Sequence, residues 1–90
     1  MLNKGKKMIT QSVIPYPAIV EHGAWGAKLR FIDFPHLTVE GANIDEVTSR
    51  GRDMLLRELV NLVKESKKAP SPTPPLEYAD EAHVMLIDPL

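Results

Sequence analysis

The sequence contains no cysteine and no long apolar run, and each of these absences excludes a class of protein. Without cysteine the chain can form neither disulfides nor cysteine-ligated metal sites. No segment approaches the roughly 18 consecutive apolar residues that a membrane-spanning helix needs. Residues 1–14 also lack the uninterrupted apolar stretch of a secretion signal, because polar residues break it before Pro15. We therefore expect a cytoplasmic protein that does not enter a membrane.

Charge of one sign is not in excess either. Eleven basic residues face twelve acidic ones, so the net charge is −1 and we expect no general affinity for nucleic acid. Residues 1–12 are lysine-bearing and aperiodic, which predicts a flexible basic tail. The charged residues of the last fifteen positions are all acidic: Glu77, Asp80, Glu81 and Asp88. The ordinary interpretation of both ends is a solvated tail, and the alternative is that the acidic segment attracts a basic partner.

The length of the chain limits it to one small domain, which we place at residues 13–90. A domain of this size buries only about 60–65% of the surface that its unfolded chain exposes. Since disulfides are excluded, contact with a second subunit is the remaining common source of stability. An oligomer is therefore expected before any motif is considered.

Alternating and apolar segments predict four strands, at residues 16–21, 25–34, 37–40 and 82–87. In the second of them Trp25, Leu29 and Phe31 fall on one face, as expected for a strand that buries one side. Residues 22–24 contain a glycine and predict a hairpin turn between the first two strands. The fourth strand is apolar on both faces, which favours burial between neighbouring strands or an interface with another chain.

A long helix, predicted at residues 44–66, is the clearest element. Asn43 is a good N-cap, and the carboxylate of Glu46 is placed to accept a bond from the N–H of that cap residue. Glycine inside a helix costs about 1 kcal/mol of stability relative to alanine. Gly51 lies on the apolar side of the helix, which indicates that the helix backbone lies close over the sheet there. Two pairs are spaced to form ion pairs along the helix: Glu46–Arg50 and Asp53–Arg57. The prolines at residues 70–75 must end the helix and return the chain across the domain.

Apolar residues cover a wide arc of this helix. One stripe follows steps of three and four residues: Ile44, Val47, Gly51, Met54, Leu55, Leu59 and Leu62. Leu56, Val60 and Val63 lie beside the stripe and make it wider than one small sheet can cover. We therefore predict a homodimer or higher oligomer whose contacts include Leu56, Val60, Val63, Val84 and Leu86. The order β-β-β-α-β predicts an α+β domain, in which one long helix covers one face of a small, mostly antiparallel sheet.

Residues that could support catalysis or metal binding are scattered along the chain. His22, His36 and His83 are far apart, and none has a second ligand at helical or hairpin spacing. The carboxylates that could form a two-metal nuclease site are explained instead by strand ends, a helix cap and ion pairs: Asp33, Glu40, Glu46 and Asp53. No glycine-rich segment joins a strand to a helix, where it could hold phosphate. We predict no enzyme activity, no bound metal and no cofactor.

Several short motifs occur in a recognisable order. They are Tyr16-Pro17 in the first strand, Phe34-Pro35-His36-Leu37 after the second, Gly41-Ala42-Asn43-Ile44-Asp45-Glu46-Val47 at the helix start, and the prolines at residues 70–75. Together they resemble the HicB-like antitoxin family over residues 15–88. That family has a Tyr-Pro opening strand, a Phe-Pro-Asp-Leu-Pro-Gly segment and a Gly-Asp-Thr-x-x-Glu-Ala helix start. This chain departs from the pattern in two places. His36 replaces the aspartate, and the Pro-Gly that follows the leucine in the family is missing, because Thr38 follows Leu37 directly.

The resemblance implies a partial ribonuclease-H-like fold that has lost the nuclease carboxylates. Members typically act as antitoxins of type II toxin–antitoxin systems and mask a small basic, RNA-cleaving toxin of the HicA-like kind. Many also carry a DNA-binding module after the last strand. These ninety residues do not contain one, so we expect no specific DNA binding by this chain alone.

Contacts with the toxin are expected at Trp25, His36, Glu77, Asp80 and Glu81. Aromatic rings near turns often anchor interfaces, and the acidic residues could steer a basic protein. Two alternatives stay open. One is a stand-alone oligomeric domain with a structural or adaptor role and no toxin partner. The other is a degenerate nuclease that retains residual activity.

Overall fold

A computed structural model describes residues 14–78 and 83–90, so the predicted basic tail at residues 1–12 lies outside the described residues. The elements in chain order are β1 Tyr16–Gly23, β2 Gly26–Phe31, β3 Thr38–Gly41, α1 Ile44–Lys64, a 3-10 helix Pro75–Glu77, and β4 Val84–Ile87. The four strands form one antiparallel sheet in the order β3-β2-β1-β4. This arrangement confirms the predicted α+β class, while the partial ribonuclease-H-like description stays a prediction.

The buried face of the sheet follows from the alternation of side chains along β1 and β2. Ala18 pairs with Phe31 and Val20 pairs with Leu29 across the two strands, and all four side chains are buried. Leu29 also pairs with the buried Val39 of β3. Because residues opposite each other in an antiparallel pair share a face, these side chains form one continuous apolar layer.

Trp25 does not belong to the second strand, contrary to the prediction. The hairpin turns at Ala24 and Trp25, between the last paired residues Gly23 and Gly26. The indole is therefore 62% exposed instead of lying on the buried face. Gly26 has a φ of +122°, which residues with a side chain rarely adopt, so the glycine fixes where the turn falls. The strand also ends earlier than predicted, at Phe31.

The N-terminus of α1 is capped nearly as predicted. The Asn43 side chain accepts a hydrogen bond from the N–H of Glu46 at 2.9 Å. The Glu46 carboxylate accepts one from the N–H of Ala42 at 3.2 Å, and not from the N–H of Asn43 as predicted. Glu46 also forms the predicted ion pair with Arg50, at 2.9 Å. The cap thus satisfies two backbone donors that would otherwise lack partners at the helix start.

The C-terminus of α1 lies at Lys64 and not at residue 66, because the chain enters the left-handed region at Ser66, with a φ of 57°. The N–H of Ser66 donates to the carbonyl of Val63, and the N–H of Lys67 donates to that of Leu62 at 2.8 Å. These two bonds satisfy the last carbonyls of the helix. Glycine usually occupies the left-handed position, so the sequence offered no signal for this stop.

One stripe of α1 packs on the buried face of the sheet, mainly over β2 and β3. Its buried members are Val47, Gly51, Leu55 and Leu59, and its half-buried members are Ile44, Met54 and Leu62. A β-carbon on Gly51 would lie 3.2 Å from the side chain of Leu29. The prediction that this glycine lets the helix lie close over the sheet is therefore confirmed.

The direction of β4 can be compared with that of α1. The helix begins near the hairpin end of the sheet and ends near Tyr16. β4 runs antiparallel to β1, with Val84 opposite Ile19 and Ile87 opposite Tyr16. Pro70 and Thr73 are still bonded at that end of the sheet, to Tyr16 and Asp33, whereas Val84 begins β4 farther along β1. Among the described strands β4 has only β1 as a neighbour. Of the two predicted alternatives, burial between neighbouring strands is not found, because β4 lies at the edge of the sheet that the described residues form; an interface with another chain stays a prediction.

Candidate protein-binding surface

The residues that were predicted to contact a partner do not form one site. Trp25 lies at the β1–β2 hairpin, whereas His36 lies in the loop after β2, at the opposite end of the sheet. Glu77 is the last residue of the 3-10 helix and is exposed. Asp80 and Glu81 lie outside the described residues. A binding surface must therefore be sought in what the fold itself brings together.

Trp25 packs on the backbone of the hairpin. A β-carbon added to Gly23 would lie 2.9 Å from the indole nitrogen, so the ring covers this glycine while most of its surface stays exposed. A shallow pocket of about 400 Å³ lies between the hairpin and the start of α1, and its lining includes His22, Asn43 and Asp45. An exposed aromatic ring near such a pocket can anchor a partner, which keeps Trp25 a candidate contact.

His36 makes contacts within the chain. Its Nε2 lies 3.5 Å from a carboxylate oxygen of Glu58 on α1. Its ring also meets the ring of the buried Phe34 edge to face, with 6.2 Å between the centroids. These contacts hold the loop after β2 against the helix, so His36 has a structural role in this fold. Contact with a partner at His36 stays a prediction.

Two side chains tie the proline-rich segment to the sheet. The Tyr16 hydroxyl donates a hydrogen bond to the carbonyl of Pro70. Asp33 accepts hydrogen bonds from both the N–H and the hydroxyl of Thr73, at 3.0 and 2.6 Å. The Tyr16 ring packs edge to face on Phe34, with 4.9 Å between the centroids. Asp33, one of the carboxylates weighed for a nuclease site, therefore holds the segment that leads the chain to β4.

Alkaline unfolding should report on this tie. Burial raises the pKa of the Tyr16 hydroxyl above its ordinary 10.0, and the nearby Asp33 carboxylate raises it further. The protonated hydroxyl contributes its full stabilisation below about pH 10. This stabilisation is lost as the pH rises through the pKa of the folded state, because the hydroxyl of the unfolded chain loses its proton at a lower pH. Tyr16→Phe should therefore lose less stability than the wild type between about pH 9 and pH 11 in urea unfolding.

The matched control for this measurement is Tyr78→Phe, which removes the other tyrosine hydroxyl of the chain. At neutral pH, Tyr16→Phe should cost about 1 kcal/mol for the lost bond to Pro70. If Tyr16→Phe and the wild type lose stability equally as the pH rises, Tyr16 is not the group that titrates on unfolding.

The residues predicted to form an oligomer contact on α1 are half-buried and divided between two places. Leu56 and Val60 line a shallow groove of about 360 Å³, together with Asp53 and Arg57. Asp53 and Arg57 are not among the ion pairs of the described residues, so the predicted ion pair between them is wrong. Val63 lines a different cavity, near the proline-rich segment. Only Leu56 and Val60 therefore share one outer surface of the helix.

Within residues 14–78 and 83–90, β4 has no strand on its outer side, and it places apolar side chains there. Leu86 is 63% exposed and Met85 is 39% exposed. The N–H of Val20 donates to the carbonyl of His83 at 2.8 Å. Because hydrogen-bonded pairs alternate along an antiparallel ladder, the N–H and C=O groups of Val84 and Leu86 point away from β1. No other described strand lies beside them.

The opposite edge of the sheet, at β3, is protected. The carbonyl of Glu40 accepts a hydrogen bond from the guanidinium of Arg50 at 3.1 Å. Arg50 is held in place by its ion pair with Glu46. A charged side chain laid across a sheet edge discourages the addition of another strand. In the part of the chain that the structure describes, the open edge is therefore the one at β4.

A small groove extends the apolar surface of β4 onto the face of the sheet that α1 covers. It measures about 260 Å³, and its lining includes Val20, Ile44 and Met85. His22 and His83 also line it and meet edge to face, with 6.3 Å between the ring centroids. Among the residues that the structure describes, no group of three or more potential ligands is placed to hold a metal ion. Within the same residues no helix combines the length and apolarity that crossing a bilayer requires.

No protein-family model, curated protein or solved structure matches the chain. The resemblance to HicB-like antitoxins therefore rests on the sequence motifs. The open edge at β4 and the exposed side chains beside it are structural observations that do not depend on that resemblance.

Proposed function

We propose that this chain is a non-enzymatic, antitoxin-like domain that binds and neutralises a small basic, RNA-cleaving toxin in the cytoplasm. The observation that carries the proposal is the open apolar edge of β4 within an acidic stretch of the sequence. The motif resemblance supports the class of partner. The two features together favour protein binding as the task of the domain.

Apolar and acidic residues coincide in the last part of the chain. Of the five large apolar side chains that are exposed among the described residues, four lie there: Leu76, Met85, Leu86 and Leu90. Covering them would contribute about 25 cal/mol per Å² of apolar surface removed from water. An apolar centre with a polar rim is the usual composition of a protein interface.

A basic partner fits the charges around β4. Asp88 follows the strand directly and is exposed, as is Glu77 in the segment before it. Asp80 and Glu81 also precede the strand in the sequence, and no lysine or arginine occurs after Lys68. An acidic surface of this kind raises the association rate with a basic protein and disfavours acidic ones.

A second candidate function is that of a stand-alone oligomeric adaptor domain without a toxin. It is favoured by Leu56 and Val60, which are half-buried beside the groove on the outer side of α1. A second copy could cover them and would supply stability that so small a domain lacks. The two candidates differ in whether the neighbouring gene encodes a partner.

If the neighbouring gene encodes a small basic protein, co-expression with that protein tests the proposed function. We expect the two proteins to co-purify, and we expect the growth arrest caused by the basic protein to be relieved. Neutralising the acidic segment by E77Q, D80N, E81Q and D88N should slow association about tenfold at low salt, with a smaller effect at high salt. Stopped-flow mixing at two salt concentrations measures both changes.

The control neutralises four exposed carboxylates outside the acidic segment instead, by E21Q, E40Q, D53N and E65Q. Equal slowing by both sets of substitutions would mean that overall charge and not the acidic segment steers the partner. If the proteins neither co-purify nor show rescue, the toxin-binding function is wrong and the adaptor function takes its place.

A further inference from the structure

We infer that the outer edge of β4 is the docking site, and that the basic partner adds an extended strand to the sheet there. This rests on the proposed function and specifies its binding mode. Strand addition to an open sheet edge obtains affinity from backbone hydrogen bonds and specificity from alternate side chains.

The backbone of β4 supplies the hydrogen-bonding groups that strand addition requires. The N–H and C=O groups of Val84 and Leu86 point away from β1, as the bond between Val20 and His83 establishes. These four groups form a short ladder to which an incoming strand can bond. β3 cannot act in the same way, because Arg50 already binds its outward carbonyl at Glu40.

The side chains of β4 supply the alternating contacts that give strand addition its specificity. Met85 pairs with Ala18 and faces the groove beside Ile44, on the side of the sheet that α1 covers. Leu86 is the next residue along the strand and so faces the other side, where it is 63% exposed. An incoming strand with apolar residues in its centre would therefore find apolar neighbours on both faces.

Charge distinguishes a basic partner from a second copy of this chain. Antiparallel pairing of two β4 strands would bring two acidic segments together, each with Asp88 immediately after the strand and Asp80 and Glu81 shortly before it. The repulsion between two acidic segments disfavours such a pairing. A strand with lysine or arginine on either side of an apolar centre would instead be complementary. The occupant we infer is such a strand.

Proline substitutions test the edge without disturbing the sheet. Leu86→Pro removes an N–H that points outward, so the bonds between β4 and β1 remain, and proline is tolerated at sheet edges for this reason. The matched control is Thr38→Pro, which removes an outward N–H from β3 at the opposite edge. We expect Leu86→Pro to weaken binding of the co-expressed basic protein about tenfold or more, and Thr38→Pro to leave it unchanged.

A synthetic peptide gives a second readout that does not require the toxin. The probe has alternating valine and threonine with lysines at both ends, and calorimetry measures its binding to the full chain. We expect Leu86→Pro and N-methylation of the peptide along one edge to abolish binding. A version with glutamates in place of the lysines should bind at least about tenfold more weakly at low salt.

The outcomes separate the docking mode from the function. If the wild type retains the neighbouring basic protein and Leu86→Pro retains it equally, β4 is not the docking edge although the function stands. If the wild type ignores that protein but binds the basic peptide through Leu86, the toxin is wrong and the docking edge stands. A wild-type dimer that Leu86→Pro converts to a monomer, with partner binding unchanged, would assign the edge to a second copy.

Discussion

Replacing Gly26 by alanine should destabilise the domain by about 3 kcal/mol, a large fraction of the stability of a small protein. Two causes act together. The φ of +122° at Gly26 is one that a residue with a side chain adopts only under strain, and an added β-carbon would lie 2.5 Å from the carbonyl oxygen of Gly41. That oxygen belongs to the backbone of β3, so it cannot move aside cheaply. Thermal unfolding should show a melting temperature lowered by roughly 10–20 °C.

Gly23→Ala is the matched control, because Gly23 pairs with Gly26 across the same hairpin. Its β-carbon would meet the exposed indole of Trp25, which is a side chain that can rotate away. We expect a cost of about 1 kcal/mol or less, together with a changed fluorescence spectrum, since Trp25 is the only tryptophan. Equal destabilisation by the two substitutions would contradict the asymmetry between the two sides of this turn.

The strands and the helix could be predicted because their patterns are local. Alternation placed Leu29 and Phe31 on the buried face, and the cap at Asn43 gave the start of α1 to the residue. The hairpin turn was placed too early because alternation continues through Trp25 and does not show where a strand reverses. The early stop at Ser66 was missed because a serine takes the left-handed position that glycine usually signals.

Only the types of residue in the candidate site could be predicted, and not their arrangement in space. The acidic segment and the apolar fourth strand are visible in the sequence, but the neighbours of that strand are not. β4 lies at the edge because it pairs with β1 and no other described strand lies beyond it. The tie that holds the proline-rich segment joins Asp33 to Thr73, which are 40 positions apart, and no local pattern reports such a contact.

Trp25 and His36 show how little exposure alone says about a contact. Both are partly exposed, yet they lie at opposite ends of the sheet, and His36 is engaged with Glu58. A partner that adds a strand at β4 would approach along the edge of the sheet and need not touch both. The backbone direction of β4 therefore locates a binding surface better than the two rings do.

Leu55→Ala should cost about 3 kcal/mol, because the side chain is fully buried between α1 and the sheet and its loss leaves a cavity. Leu56→Ala, the next residue on the helix, should cost about 1 kcal/mol or less in a monomer, because its side chain is only half-buried beside the outer groove. Urea unfolding of both variants at several protein concentrations separates packing from association. If Leu56 lies in an oligomer contact, the wild-type midpoint rises with concentration and Leu56→Ala removes that dependence, whereas Leu55→Ala keeps it. Midpoints that do not change with concentration in the wild type would remove Leu56 and Val60 from any stable oligomer contact and leave β4 as the surface available to a partner.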